Sequence, residues 1–137
     1  MTAFVDTSAL LAVVVAGDEH HAAAASAWAD LLSRGERLVT TNYVLVEAYS
    51  ILQRRYGLGY VGRLRQAAVP TLIVHWVTPE QHEAALSAVV VGNRRDLSVV
   101  DCTSFVVMRE LGLVKAFALD PHFAEQGYEV IPSAPRP

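Results

Sequence analysis

Short runs of β-branched and aromatic residues alternate along this chain with longer segments of helical character. Five such runs are strand candidates, at residues 3–6, 38–40, 72–77, 116–119 and 128–131. Most are separated by enough chain for a helix, and neighbouring parallel strands need a crossover of a dozen or more residues. The sequence therefore predicts the α/β class, a three-layer α/β/α sandwich with a central, mostly parallel sheet.

The predicted helices begin and end at residues that favour helix termini. Thr41 or Asn42 is a plausible N-cap, Pro79 suits a first helical position, and Pro70 and Gly112 suit positions just beyond a helix. An alanine-rich stretch also has high helix propensity. We expect helices from residue 7 to about 14, and at about 18–33, 42–56, 60–69, 79–92 and 98–111.

Length and composition favour one domain in a reducing compartment. A chain of 137 residues with 53% hydrophobic content suits a single core, which we place at residues 1–132, with a tail at 133–137. Cys102 is the lone cysteine, so no disulfide can form within the chain. The N-terminus has no secretory pattern, and the longest apolar run, 9–16, is too short to span a membrane. We expect a soluble cytoplasmic protein.

The formal net charge is −3, so the chain has no general attraction for a phosphate backbone. Nucleic-acid binding would need a local basic patch. Arg54 with Arg55 and Arg94 with Arg95 are candidate pairs. For either pair considered alone, a solvated helix face is the explanation that we prefer.

Three aspartates lie where an α/β sheet binds its ligands, outside the carboxyl ends of the strands. Asp6 ends the first strand, Asp120 follows the strand at 116–119, and Asp101 lies in the first turn of the helix that begins near Ser98. Each also has a purely structural explanation. Asp6 and Asp120 could cap the helices that follow them, and Ser98 with Asp101 matches a capping box.

Glu47 has no such explanation. It lies in the second turn of its helix, beyond the reach of capping, and borders an apolar stripe in which Ile51 is its neighbour. An unpaired carboxylate there is costly. On that edge only Arg54, two turns away, offers a positive charge. A metal ion shared with the three aspartates would satisfy all four acids.

Clustered carboxylates repel one another, which raises their pKa values unless positive charge is supplied. Mg²⁺ and Mn²⁺ prefer oxygen ligands and readily accept phosphate as a further ligand. One such ion, or a pair, would activate water and stabilise charge on a phosphodiester. The pattern therefore favours phosphodiester hydrolysis.

Four short motifs, in this order and at these distances, resemble the PIN domain, and in particular the VapC-type toxins of bacterial toxin-antitoxin pairs. They are Val-Asp-Thr-Ser at 5–8, Thr-Asn-Tyr at 41–43 with Val-Glu at 46–47, Leu-Ser-Val-Val-Asp-Cys at 97–102, and Ala-Leu-Asp-Pro-His-Phe at 118–123. One departure is Pro121, which stands where a basic residue is often found.

The resemblance implies a metal-dependent ribonuclease with an α/β/α fold. It also implies an RNA substrate, a homodimer, and an antitoxin that inserts a segment into the active-site groove. The implied catalytic and metal-binding acids are Asp6, Glu47, Asp101 and Asp120. Thr7, Ser8 and Ser104 would support the site, and the possible RNA-binding residues are Arg54, Arg94 and Arg95.

Several other residues have structural interpretations that we prefer. Asp96 fits a loop residue better than a fifth acid at the rim. Asp18 and Glu19, with the two histidines that follow, fit an acidic helix start better than a metal site. We expect His122 to pack beside Phe123 rather than contact RNA, and Cys102 to lie in the core. Trp28 and Trp76 suit the core or a dimer interface.

Two other classes of function compete with the nuclease. A phosphatase or phosphoacceptor domain also uses an aspartate after its first strand, but Ser8 stands where a haloacid-type phosphatase needs a second aspartate. Neither has a place for Glu47. A binding module without turnover has no need for a repulsive cluster of acids.

Overall fold

Five parallel strands form the central sheet, and helices flank it. The computed structural model describes residues 1–133, so the predicted tail, 133–137, lies outside the described part except for Ser133. The strands are β1 (Thr2–Val5), β2 (Arg37–Thr41), β3 (Ile73–His75), β4 (Lys115–Phe117) and β5 (Glu129–Ile131). The helices are α1 (Thr7–Val14), α2 (His21–Ser33), α3 (Asn42–Arg55), α4 (Leu58–Arg63), α5 (Pro79–Gly92), α6 (Val99–Leu111) and α7 (His122–Glu125).

The strand order is β3-β2-β1-β4-β5, and every pairing is parallel. The chain moves outward from β1 to β2 and β3, then returns to the other side of β1 for β4. Phe4 of β1 accordingly pairs with Val39 on one side and Ala116 on the other. The order reverses between β1 and β4, which makes their carboxyl ends the topological switch point where such sheets bind ligands. The predicted α/β class is confirmed, and the sheet is wholly parallel.

The core surrounds β1, whose residues Ala3, Phe4 and Val5 are completely buried. Phe123 of α7 packs on Phe4, with ring centroids 6.2 Å apart, so the short helix after β4 is anchored to the central strand. Burial of aromatic side chains of this size dominates core energetics. The segment that carries Asp120 is therefore held firmly against β1.

Two helix predictions need correction. The helix predicted from residue 18 begins at His21, because Asp18 instead forms a turn in which its Oδ1 accepts a hydrogen bond from His20 N at 2.8 Å. The acids thus precede the helix, and none lies in its first turn.

The segment predicted as a single helix at 60–69 consists instead of three short helical segments. These are α4, a π-helical turn at Leu64–Ala68 and a 3-10 turn at Val69–Thr71 that contains Pro70. Proline is tolerated at the start of a new turn, since its missing N–H has no partner there in any case.

Within residues 1–133, no helix combines the length and the apolar character that a membrane span requires.

Candidate active site

Asp6 directly follows β1 and is the N-cap residue of α1. Its side chain is only 3% exposed. Asp6 Oδ2 accepts two hydrogen bonds from Ser8, one from the hydroxyl at 2.7 Å and one from the backbone N–H at 3.3 Å. The predicted capping role is confirmed, and it uses one oxygen of the carboxylate.

Asp120 lies in the loop after β4, on the other side of the switch point. Its Oδ1 accepts a 3.0 Å hydrogen bond from His122 N. The N-cap residue of α7 is Pro121 and the helix begins at His122, so Asp120, which the sequence suggested as the cap, lies one residue before the cap position. Ser8 joins this loop to α1, because Leu119 N donates to Ser8 Oγ at 2.9 Å. One hydroxyl thus links the chain segments that carry Asp6 and Asp120.

Asp101 is the third residue of α6 and completes a capping box with Ser98. Asp101 N donates to Ser98 Oγ at 3.0 Å, and Asp101 Oδ2 accepts from Ser98 N at 3.1 Å. The box fixes both the start of α6 and the direction of the Asp101 side chain.

The three aspartates meet although they come from distant parts of the chain. Each offers a carboxylate oxygen, and these oxygens lie within 4.8 Å of one another. The hydrogen bonds described above occupy one oxygen of each carboxylate, which leaves the other free of hydrogen bonds within residues 1–133. Asp6 and Asp101 each help to cap a helix and also belong to the cluster, so for these two residues the roles that the sequence presented as alternatives occur together.

Glu47 lies at the edge of this cluster rather than within it. The side chain is half-buried on α3, as its place beside the apolar stripe predicts, and it stands outside the group of oxygens within 4.8 Å. The charges of Asp101 and Asp120 still reach it, because both raise its pKa. Glu47 thus borders the site from the side of α3.

The carboxylates lie in an environment that disfavours their ionised forms. Burial, reinforced by the charges of Asp120 and Asp101 and opposed by the Ser8 hydrogen bonds, raises the pKa of Asp6 to about 8. Burial is also the main cause that raises the pKa values of Glu47 and Asp101. Such shifts are typical of functional sites, where a cation relieves the repulsion.

Two buried hydroxyl groups are among the predicted supporting residues. Thr7 Oγ1 and Ser104 Oγ are buried without a hydrogen bond among the described residues. The Thr7 hydroxyl is nevertheless close enough to Glu47 to oppose in part the burial that raises the pKa of that carboxyl group. Ser104 lies one turn after Asp101 on α6, so it shares approximately the same helix face. Buried polar groups without partners are rare in proteins and indicate a missing ligand, water or ion.

The predicted arginines lie on the surface. Arg94 is paired with Asp96 at 2.6 Å and with Glu125 at 3.3 Å. Arg54 and Arg95 are exposed. Asp96 is a loop residue, as we preferred, and Arg94 holds its pKa below the usual value.

His122 is closer to the site than the sequence indicated. Its Nδ1 is buried without a hydrogen bond within residues 1–133 and lies 3.6 Å from Glu125 Oε2. It also lies close enough to Asp101 to oppose in part the burial that raises the pKa of that carboxyl group. Its position two residues after Asp120 was the only signal in the sequence.

The structure confirms the predicted core positions of Cys102 and Trp28 but not that of Trp76. Cys102 is buried in a small cluster with Ala85 and Val106, as expected. Trp28 packs against the core beside Phe117. Trp76 is 72% exposed, so the core interpretation is wrong for that residue.

Comparisons with known proteins identify the family to which this fold belongs. The PIN domain model matches residues 3–127. The 23S rRNA-specific endonuclease VapC20 of Mycobacterium tuberculosis is 37% identical over 126 residues, which cover 91% of this chain and 94% of that protein.

Two solved structures are also similar. The crystal structure of M. tuberculosis VapC20, described as a Sarcin-Ricin loop cleaving toxin, superposes with a TM-score of 0.80 and 36% identity, covering 93% of this chain and 96% of that chain. FitAcB from Neisseria gonorrhoeae has a TM-score of 0.66 at 11% identity over 95% and 96% of the two chains, which shows the fold alone. The chain belongs to the PIN-domain family and is an endoribonuclease of the VapC type.

Proposed function

We propose that this VapC-type endoribonuclease uses its carboxylate cluster to bind Mg²⁺ or Mn²⁺ and to hydrolyse phosphodiester bonds in ribosomal RNA. The observation that carries the proposal is the approach of Asp6, Asp101 and Asp120, whose ligand oxygens lie within 4.8 Å of one another. Asp6 is buried and the other two are half-buried, so the mutual repulsion of these carboxylates is costly unless a positive charge offsets it.

The residues present fit a hard divalent cation. All the candidate ligand atoms are carboxylate oxygens, with no thiol or imidazole among them. This donor set suits Mg²⁺ and Mn²⁺, which bind through a few carboxylates and retain waters. The raised pKa of Asp6, about 8, also fits, since a bound cation would favour the ionised form.

Each acid has a defined part in the proposed reaction. Asp6, Asp101 and Asp120 would hold the metal through their free oxygens, while Ser8 and Ser98 hold the opposite oxygens in place. When bound, the metal supplies Lewis-acid stabilisation of the phosphate and lowers the pKa of water. Glu47, half-buried beside the cluster, would accept the proton of the attacking water. His122 borders the site from α7, since it lies close enough to Asp101 to influence the pKa of that residue.

The biological setting rests on the relatives. Ribosomal RNA is the proposed substrate because the 37% identical relative is named a 23S rRNA-specific endonuclease. We further propose a cognate antitoxin as inhibitor, a homodimer as the working form, a cytoplasmic location, and residues 1–132 as one nuclease unit. These proposals follow from the VapC-type resemblance.

The test is metal-dependent cleavage of purified ribosomal RNA. We expect cleavage with MgCl₂ or MnCl₂, none with EDTA, and a large loss of rate in Asp6→Asn and Glu47→Gln. Asp30→Asn is the matched control, because Asp30 is an exposed acid paired with Arg34, and such surface pairs contribute little. Cleavage in EDTA at the metal-loaded rate would refute the proposal.

A further inference from the structure

A largely apolar pocket opens beside Glu47. It has a volume of about 480 Å³ and is lined by Asn42, Tyr43, Val46, Glu47 and Val100. This size is within the range of small-ligand sites. Val46 is 63% exposed and presents an apolar side chain at the wall of the pocket. Because Glu47 lines the pocket, the pocket is continuous with the carboxylate site.

Tyr43 is held in a defined position on the pocket wall. Its hydroxyl shares a hydrogen bond with His82 Nδ1, and its ring meets the imidazole edge-on, with centroids 5.9 Å apart. The adjacent Asn42 is anchored as well, because its Oδ1 accepts from Val77 N at 2.8 Å. The aromatic face is therefore positioned before any ligand arrives.

The same edge of α3 carries three chemically different groups in a line. Tyr43, Glu47 and Arg54 are spaced by four and seven residues, which places them within about 40° of one another around the helix. Along the axis, Tyr43 lies about 6 Å before Glu47 and Arg54 about 10 Å beyond it. Arg54 is exposed and has no carboxylate partner within residues 1–133.

This order of groups matches the repeating chemistry of a single RNA strand. Unpaired bases stack on aromatic side chains, and backbone phosphates pair with arginine. An uncharged base fits the apolar wall, and a divalent cation at the neighbouring carboxylates would attract the adjoining phosphate. A nucleobase is therefore the occupant that best fits both the pocket and its neighbours.

We propose that the pocket binds a nucleobase of single-stranded RNA next to the scissile phosphate, stacked on Tyr43, while Arg54 contacts a backbone phosphate on the other side of Glu47. The inference rests on the proposed ribonuclease function and adds the position of the strand. Tyr43 is then a substrate-positioning residue rather than a catalytic one.

The test is steady-state cleavage of a fluorescent single-stranded RNA oligonucleotide in MnCl₂. For Tyr43→Leu we expect KM to rise by about five-fold to one-hundred-fold, the range of one lost stacking contact, with little change in kcat. Tyr43→Phe keeps the stacking ring and loses only the bond to His82, so its KM should rise by a smaller factor than that of Tyr43→Leu. Tyr56→Leu is the matched control, since Tyr56 is an exposed tyrosine of the same region that contacts Tyr60.

Three further measurements keep the inference open to refutation. Val46→Ser, at an exposed position that does not endanger folding, should raise KM in the same direction by a smaller factor. Arg54→Ala should raise KM and reduce its salt dependence. In an Asp120→Asn background that prevents turnover, 2-aminopurine in the oligonucleotide should be quenched by the protein with Tyr43 and not by Tyr43→Leu.

The outcomes separate this inference from the function on which it rests. Cleavage with unchanged KM in folded Tyr43→Leu and in Val46→Ser overturns the inference alone. A shift of oligomeric state in either variant, measured by sedimentation, assigns the pocket to a second copy of the chain and also overturns it. Absence of cleavage by the wild-type protein overturns the ribonuclease function, and the inference with it.

Discussion

Ser8 Oγ donates a 2.7 Å hydrogen bond to Asp6 Oδ2 and so ties this carboxylate to the opposite side of the switch point. Ser8 Oγ in turn accepts a 2.9 Å hydrogen bond from the backbone N–H of Leu119, the residue before Asp120. A serine in the first turn of α1 thus sets the spacing between two carboxylates from adjacent strands. Groups that orient metal ligands in this way are often as important as the ligands themselves.

We expect Ser8→Ala to weaken both the site and the fold. The change removes a charge-assisted hydrogen bond from Asp6 and leaves Leu119 N without its partner, which costs about 1–3 kcal/mol. Mn²⁺ affinity and activity should fall by about 10-fold to 100-fold, as for other supporting residues of metal sites. Calorimetric titration with MnCl₂ and urea unfolding measure the two effects.

Ser33→Ala provides the comparison for Ser8. Its hydroxyl bonds only the Asp30 carbonyl at the exposed end of α2. If both alanine variants bound Mn²⁺ equally well, Ser8 would have no part in the site.

Two substitutions of Asp101 should separate its two roles. Asp101→Asn keeps an oxygen for Ser98 N, so the start of α6 should stay intact while the metal ligand loses its charge. Metal binding and cleavage should be lost with little change in the stability of the metal-free protein. Asp101→Ala removes the cap as well, at an additional cost of about 1 kcal/mol. Equal activity in Asp101→Asn and wild type would leave Asp101 with a capping role only.

The metal-free protein should become less stable as pH rises from about 4 to about 8. The folded-state pKa of Asp6 is raised to about 8 from its ordinary value of 3.8, so the folded state holds a proton that the unfolded state releases. The stabilisation is complete below the ordinary value and disappears as pH rises through the raised one. One proton corresponds to at most about 1.4 kcal/mol per pH unit.

Urea unfolding in EDTA across this range tests the expectation. Asp6→Asn should remove most of the slope, and MgCl₂ should stabilise the wild-type protein chiefly at the alkaline end. A wild-type profile in EDTA as flat as that of Asp6→Asn would show that Asp6 ionises normally.

Much of the fold could be predicted because local patterns agree with it. Thr41 caps α3, Pro79 is the first residue of α5, and Gly112 ends α6 with a φ of 68°, each as expected from its chemistry. The segment after Gly57 could not be predicted in the same way. Its change from α-helix to π-helical and 3-10 turns depends on packing, with Leu64 and Ala68 buried, and leaves no periodic signal.

The candidate site was predictable in its members but not in its arrangement. Glu47 stands out in the sequence because capping cannot explain it. The carboxylates that lie closest to one another are instead those of Asp6, Asp101 and Asp120. A helical periodicity assigns a residue to a face, yet it cannot give a distance to another element. The hydrogen bonds of the Ser8 hydroxyl and the proximity of His122 to Asp101 depend on such distances. Helical periodicity alone therefore could not predict them.

The position of β4 next to β1 has a consequence for synthesis. β1 is made early and lies in the middle of the sheet, but one of its neighbours is β4, more than a hundred residues later in the chain. A nascent chain that has not yet reached Asp120 holds at most two of the three clustered aspartates. The three-aspartate cluster therefore cannot assemble before β4 and the loop that carries Asp120 have been synthesised.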